Sequence, residues 1–121
     1  MFAIQHALLM ADLDPAHVPA VLAYATQPDE SLQVLLADAR VNRDTWGRLP
    51  HRYIRTSADQ VIPLNIQNRM IAEADRLTPD NTFAVHTIAG SHFAPISHAA
   101  QIAEILTETL NRGLQPDLDL C

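Results

Sequence analysis

The chain has 121 residues, 48% of them hydrophobic and 18% charged, with a formal charge of −6 at pH 7. That is one domain's length, enough to bury about two thirds of the unfolded surface, and the negative balance argues against nucleic acid or an anionic membrane as a partner. Its single cysteine, Cys121, leaves no disulfide framework and no cysteine-based zinc site, which fits a reducing, cytoplasmic setting.

Taken in chain order, the opening "MFAIQHALLMADLD" has no basic leader region and an apolar run too short to span a bilayer, so it reads as a helix or a packed segment. In "DPAHVPAVLAYAT", Asp14 is placed to cap, Pro15 stands at the first helical position, and Val18, Val21, Leu22 and Ala25 share a face. Pro19 weakens the first turns of this short amphipathic helix. "SLQVLLADA" follows with Ser31 as cap and Leu32, Leu35, Leu36 and Ala39 on one side, a second short helix.

"PHRYIRT" reads as a strand opened by Pro50, and Pro63 begins a helix over "PLNIQNRMIAEADRL" with Ile66, Met70, Ala74 and Leu77 in a stripe. On that spacing Met70 is expected in the core. "TPDN" makes a turn, "FAVHTIA" reads as a second strand, and "GSHFAPIS" leads into a last helix lined by Ile102, Ile105, Leu106, Thr109 and Leu110. Ser97 is placed to cap that helix, and Gly113 fits a left-handed position past its end, before a frayed tail. Strand, helix, strand, helix implies two parallel strands joined by a right-handed crossover. Two strands are few for a parallel sheet, which is normally buried on both faces. Either "LLADARVN" adds a third strand, or one strand edge stays open to another chain.

Both loops after the strands leave carboxyl ends, the edge at which open α/β sheets bind ligands. Asp59 lies in the first loop and His92 in the second. An aspartate accepting from one ring nitrogen of a histidine fixes its tautomer and frees the other nitrogen as a base. The bland alternative is a turn aspartate and a solvated loop histidine.

"RLPHRYIRTSADQVIPLNIQNRM" and "HTIAGSHFAPISHAAQIAEIL" together resemble the C-terminal half of α/β-hydrolases, in the branch of plant methylesterases, hydroxynitrile lyases and bacterial relatives. In that branch a strand ends in threonine or cysteine, followed by the catalytic aspartate and an Ile-Pro that opens a helix; Thr56, Asp59, Ile62 and Pro63 match. The next strand ends in glycine, followed by the catalytic histidine, an apolar run and a serine; Gly90, His92, Pro95 and Ser97 match. The resemblance implies an α/β fold with at least two parallel strands: a lid-derived helical segment over 1–45, a hydrolase core over 46–112 and a tail over 113–121. It implies Asp59 and His92 as catalytic residues, and Phe93 and Ile96 as substrate-binding residues beside the acyl pocket. Phe93 stands where the lyases carry a lysine, which favours ester hydrolysis. No cofactor is implied.

The departure is the nucleophile. The fold places its serine on a G-x-S-x-G elbow upstream of the acid and histidine, and none of Ser31, Ser57, Ser91 or Ser97 is so flanked. The oxyanion-hole loop that precedes the elbow is absent too. Ser91 reads as a loop hydrogen-bonder. The expectation is a chain that supplies acid and histidine of a Ser-Asp-His triad, acts on a small-molecule ester only when complete, and is inactive alone. Its partner would be a complementing N-terminal half or a second copy. The rival reading is a non-catalytic interaction module or gene remnant that pairs through an open strand edge. His86, His92 and His98, six residues apart, fit no known zinc spacing, so no metal site is assigned. Trp46 reads first as packing and second as a pocket residue; His6, His17 and His51 read as surface or part-buried.

Overall fold

In the computed structural model, which describes residues 2–25, 31, 33–38 and 40–113, the N-terminal part is helical. Helix α1 (Phe2–Leu9) runs into Met10, whose N–H still donates to His6 O at 3.0 Å. Asp14 then accepts from Ala16 N at 2.9 Å, and Pro15 opens a 3-10 turn, Pro15–His17, that leads into α2 (Val18–Ala25). Proline has no N–H to lose in a first turn and its φ is pre-set there. Val18 and Leu22, one turn apart, are buried with Met10, and Leu9, Leu13, Val21 and Phe93 pack round them. This is the main apolar cluster, and Phe93 reaches it from the far end of the sequence.

The second expected helix is a single turn, α3 (Gln33–Leu36), with Ser31 Oγ accepting from Gln33 N at 3.3 Å. Leu32, Ala39 and the tail 114–121 lie outside the described residues, as do the side chains of Leu35, Thr109 and Leu110. Among its described residues "LLADARVN" contributes no strand. Polar side chains there hold the backbone locally: Asp38 accepts from Arg40 N at 3.0 Å and from its guanidinium, and Asn42 Oδ1 accepts from Asp44 N at 2.7 Å. Such short-range bonds compete with a β ladder.

Strand β1 (Arg52–Thr56), helix α4 (Leu64–Leu77) and strand β2 (Ala84–Ile88) follow as expected, and α5 (Ala94–Ser97) and α6 (Ala99–Gly113) complete the described chain. β1 and β2 pair in parallel, from Arg52↔Ala84 to Thr56↔Ile88, and are the two strands of the sheet among the described residues. Ala84 N donates to His51 O and Ser57 N to Ile88 O, so odd-numbered residues of β1 turn their backbone groups toward β2. Arg52, Ile54 and Thr56 turn theirs to the outer edge.

α4 packs on β1 with a different face from the apolar stripe. Gln67 and Ile71 are buried, whereas Met70 is 45% exposed and Ile66 and Leu77 are similarly open. The expectation of a core Met70 is therefore corrected: a two-stranded sheet covers one narrow face of a helix, and polar Gln67 takes it because its carboxamide finds backbone partners. Two capping expectations are also corrected. Ser97 ends α5 and bonds Asp12 and His98, while Gly113 is the last residue of α6 with no positive φ.

Aromatic packing gathers where the strands begin. Trp46 stacks on His51 with ring centroids 3.9 Å apart, and Phe83 lies 5.1 Å from His51 and 6.1 Å from Tyr53. Trp46 is thus a packing residue at the amino end of the sheet, opposite the loops that follow the strands, and His51 is buried beneath it. No helix among the described residues is long and apolar enough to cross a membrane.

Candidate functional site

The loops after β1 and β2 are laced to each other before any side chain contributes. Ser57 N donates to Ile88 O at 3.0 Å and Ala58 N to Gly90 O at 3.1 Å, which carries the parallel pairing past both strand ends. Asp59 turns back on β1 through its N–H to Thr56 O at 3.4 Å, and the residue is buried.

All of the accepting capacity of the Asp59 carboxylate is used. Oδ1 accepts from Val61 N at 2.8 Å and Ile62 N at 2.9 Å; Oδ2 accepts from Thr56 Oγ1 at 3.2 Å and faces His92 Nδ1 at 3.0 Å. Four contacts match the roughly four lone-pair directions an ionised carboxylate offers. Burial pushes this carboxyl up, but the Ile62 N–H, the His92 ring and the Val61 N–H together hold it below the usual carboxylate value. Asp59 is therefore a carboxylate at neutral pH and can only accept. That makes His92 Nδ1 the donor, and Nε2 the lone-pair nitrogen of the neutral ring. Burial, followed by the charge of Asp59, pushes the nearby Tyr53 phenol up.

The His92 side chain is 32% exposed against 5% for Asp59, so the pair has a buried end and an open end. Among the described residues no hydrogen bond involves Nε2. Phe93 stands edge-on to the imidazole, centroids 5.9 Å apart and planes at 88°, while its other contacts are with the Met10 cluster. Ile96 is 40% exposed, one turn beyond. The sequence-predicted pair, Asp59 and His92, is thus in contact, with Phe93 next to His92 on the loop and Ile96 in α5.

A second set of titratable groups lies on the other side of this loop. Asp12 accepts from Ser91 N at 3.0 Å, from Ser91 Oγ in a short contact, and from Ser97 Oγ at 2.9 Å. His98 Nδ1 lies 3.2 Å from Asp12 Oδ2 and 2.9 Å from Ser97 Oγ. Burial pushes the Asp12 carboxyl up, and the hydroxyl and N–H of Ser91 with the hydroxyl of Ser97 more than reverse this. Serine, histidine and aspartate are the residue types of a triad, yet Ser97 and Asp12 both address Nδ1 of His98. A relay needs its acid and its nucleophile on opposite ring nitrogens, so this cluster is a clamp.

Sequence reasoning missed Asp12 and Gln67. Ser91 is, as expected, a loop hydrogen-bonder, 1% exposed. The three histidines at six-residue spacing go to separate partners, His86 to Arg52 at 3.4 Å, His92 to Asp59 and His98 to Asp12. Among the described residues no group of three or more His, Cys, Asp or Glu is placed to hold a metal ion. No family model matches the chain, and no curated protein matches it in sequence.

Proposed function

We propose that this chain supplies the acid and the base of a Ser-Asp-His triad for ester hydrolysis of the α/β-hydrolase type, and that the nucleophilic serine lies outside these 121 residues. The observation that carries this reading is the Asp59 Oδ2 to His92 Nδ1 contact of 3.0 Å at the carboxyl ends of two adjacent parallel strands, with the His92 side chain 32% exposed. In the complete site Nε2 takes the proton of the attacking serine and returns it to the leaving alcohol; Asp59 holds the tautomer and stabilises the imidazolium. Phe93 and Ile96 border the acyl group of a small-molecule ester.

Without serine or oxyanion donors, turnover falls by roughly a millionfold for the nucleophile alone. The pure chain is therefore expected to hydrolyse p-nitrophenyl acetate no faster than buffer, and a fluorophosphonate, which labels activated serines, is expected to leave it unlabelled. Co-expression with the coding segment upstream of Met1, if that segment carries G-x-S-x-G, is expected to give a labelled serine and an ester-cleaving complex that His92→Ala abolishes. Rapid His92-dependent cleavage by the lone chain, or a complex indifferent to His92→Ala, would sink the proposal.

A second reading has its own observation. Arg52 and Ile54 direct backbone groups to the outer edge of β1, and exposed Ile66, Met70 and Leu77 flank the sheet, so the chain is also suited to act as a non-catalytic module that adds a strand from a second copy. Light scattering separates the two: a stable dimer with no complementing half favours the module, and a monomer that becomes a heterodimer favours the split esterase.

A further inference from the structure

We infer that Asp12, in the N-terminal helical segment, is a positioning residue for His92: it holds the loop that carries the imidazole against the carboxylate of Asp59. This rests on reading His92 as the base of a triad and goes beyond it by naming what aims the ring.

His92 lies between two residues whose backbone N–H groups are both tied to residues 9–12. On one side Ser91 N donates to Asp12 Oδ2 at 3.0 Å; on the other Phe93 N donates to Leu9 O at 2.8 Å. The Ser91 hydroxyl bonds Asp12 Oδ1 and also Leu9 O at 3.1 Å, and Ser97 Oγ reaches Asp12 Oδ2 at 2.9 Å, which pins the end of α5, the helix that follows the loop. From the sheet the same loop receives the Ala58 N to Gly90 O bond, 3.1 Å long, before His92 is reached. The sheet therefore fixes where the loop starts, and Asp12 with Leu9 fixes the peptide planes on either side of the histidine. Those planes set the direction of its Cα–Cβ bond. Ser91 is 1% exposed, so with Asp12 in place its N–H and hydroxyl are satisfied by protein groups.

Among the described residues no hydrogen bond or ion pair joins Asp12 to Asp59 or to the His92 ring, so its effect is conveyed through residues 91–98. A role limited to stability would lower the denaturation midpoint of the chain and leave the Asp59–His92 hydrogen bond intact in the folded fraction. Positioning would alter that bond itself.

The test uses the full chain labelled with 15N-histidine and reads the solvent-exchange rate of the His92 Nδ1 proton, alongside the protection of the β1–β2 backbone amides. Asp12→Ala is expected to leave the strand amides protected while the His92 Nδ1 proton exchanges at least about tenfold faster, the change that loss of one charge-assisted hydrogen bond brings. An unchanged Nδ1 exchange rate with protected strands would overturn the inference. Should Asp12→Ala lose strand protection altogether, the double variant Ser91→Ala with Ser97→Ala decides on the same two readouts, since it removes both hydroxyl ties and no charge. The proton is observed without ester or partner chain. Failure of the esterase reading therefore shows in the complementation assay alone, and failure of the clamp in the exchange rate alone.

Discussion

Gly90 and Ala94 approach so closely that a Cβ built on the glycine would stand 2.8 Å from the Ala94 Cβ, with His98 Nδ1 at 3.3 Å. The backbone of Gly90 has no positive φ, so the requirement for glycine is one of space between the end of β2 and α5. Gly90→Ala is expected to cost about 1–3 kcal/mol, the usual range for overpacking a fitted contact. A urea midpoint equal to wild type would show that α5 moves aside freely.

Gln67 and Met70 are expected to exchange the roles that their chemistry suggests. The Gln67 carboxamide accepts from Thr56 N at 3.0 Å and donates to Thr56 O at 2.9 Å and Ile62 O at 2.7 Å. Gln67→Leu leaves these buried groups unpaired and is expected to cost about 2–4 kcal/mol. Met70→Ala is expected to cost less than about 1 kcal/mol, since a buried methionine would cost about 2–5. Equal losses in urea unfolding would mean that the exposed stripe of α4 is covered in solution.

The acid limb of stability is expected to depend on Asp59 and Asp12. Both carboxyls lie below the ordinary value of 3.8 when folded, so near that pH the unfolded chain binds more protons and stability rises with pH. Their contribution is complete above about pH 5 and is lost as the pH falls through the lowered folded values. Asp59→Asn removes one of the two groups, and a plot of urea midpoint against pH between about 6 and 3 is expected to be shallower than for wild type. Parallel plots would sink this.

Trp46 is the one tryptophan of the sequence and serves as a reporter for the other end of the sheet. His51 stacks on it at 3.9 Å and its Nε2 lies 2.9 Å from Trp46 O. His51→Ala opens that face to water, and the expected result is a red shift of Trp46 emission with a loss of about 1–3 kcal/mol. Emission unchanged in position would place the ring in contact with something other than His51.

The parts legible in the sequence are those written in local patterns. β1, α4 and β2 follow from short β-branched or aromatic runs, Pro63 and a helical period, and the Asp59–His92 contact follows from two loops leaving neighbouring parallel strands. The buried face of α4 was not legible, because hydrophobic periodicity assigns Ile66 and Met70 inward and gives no weight to a carboxamide that mates with a strand. Asp12 was not legible either. Its partners lie 79 to 86 residues away, and an aspartate in a polar turn carries no sign of them. The failed third strand has a plainer cause, since the side chains of Asp38 and Asn42 accept from the backbone N–H groups of Arg40 and Asp44 nearby.

The carboxamide of Gln67 also sets a stopping point. Of the three β1 residues that present backbone groups outward, Thr56 is already occupied at both its N–H and its carbonyl. A strand annexed along this edge would engage Arg52 and Ile54 and then meet a filled position, so its alignment is prescribed by one side chain of the following helix. Whatever chain joins there, its pairing ends before the turn that holds Asp59, and the carboxylate keeps its present neighbours.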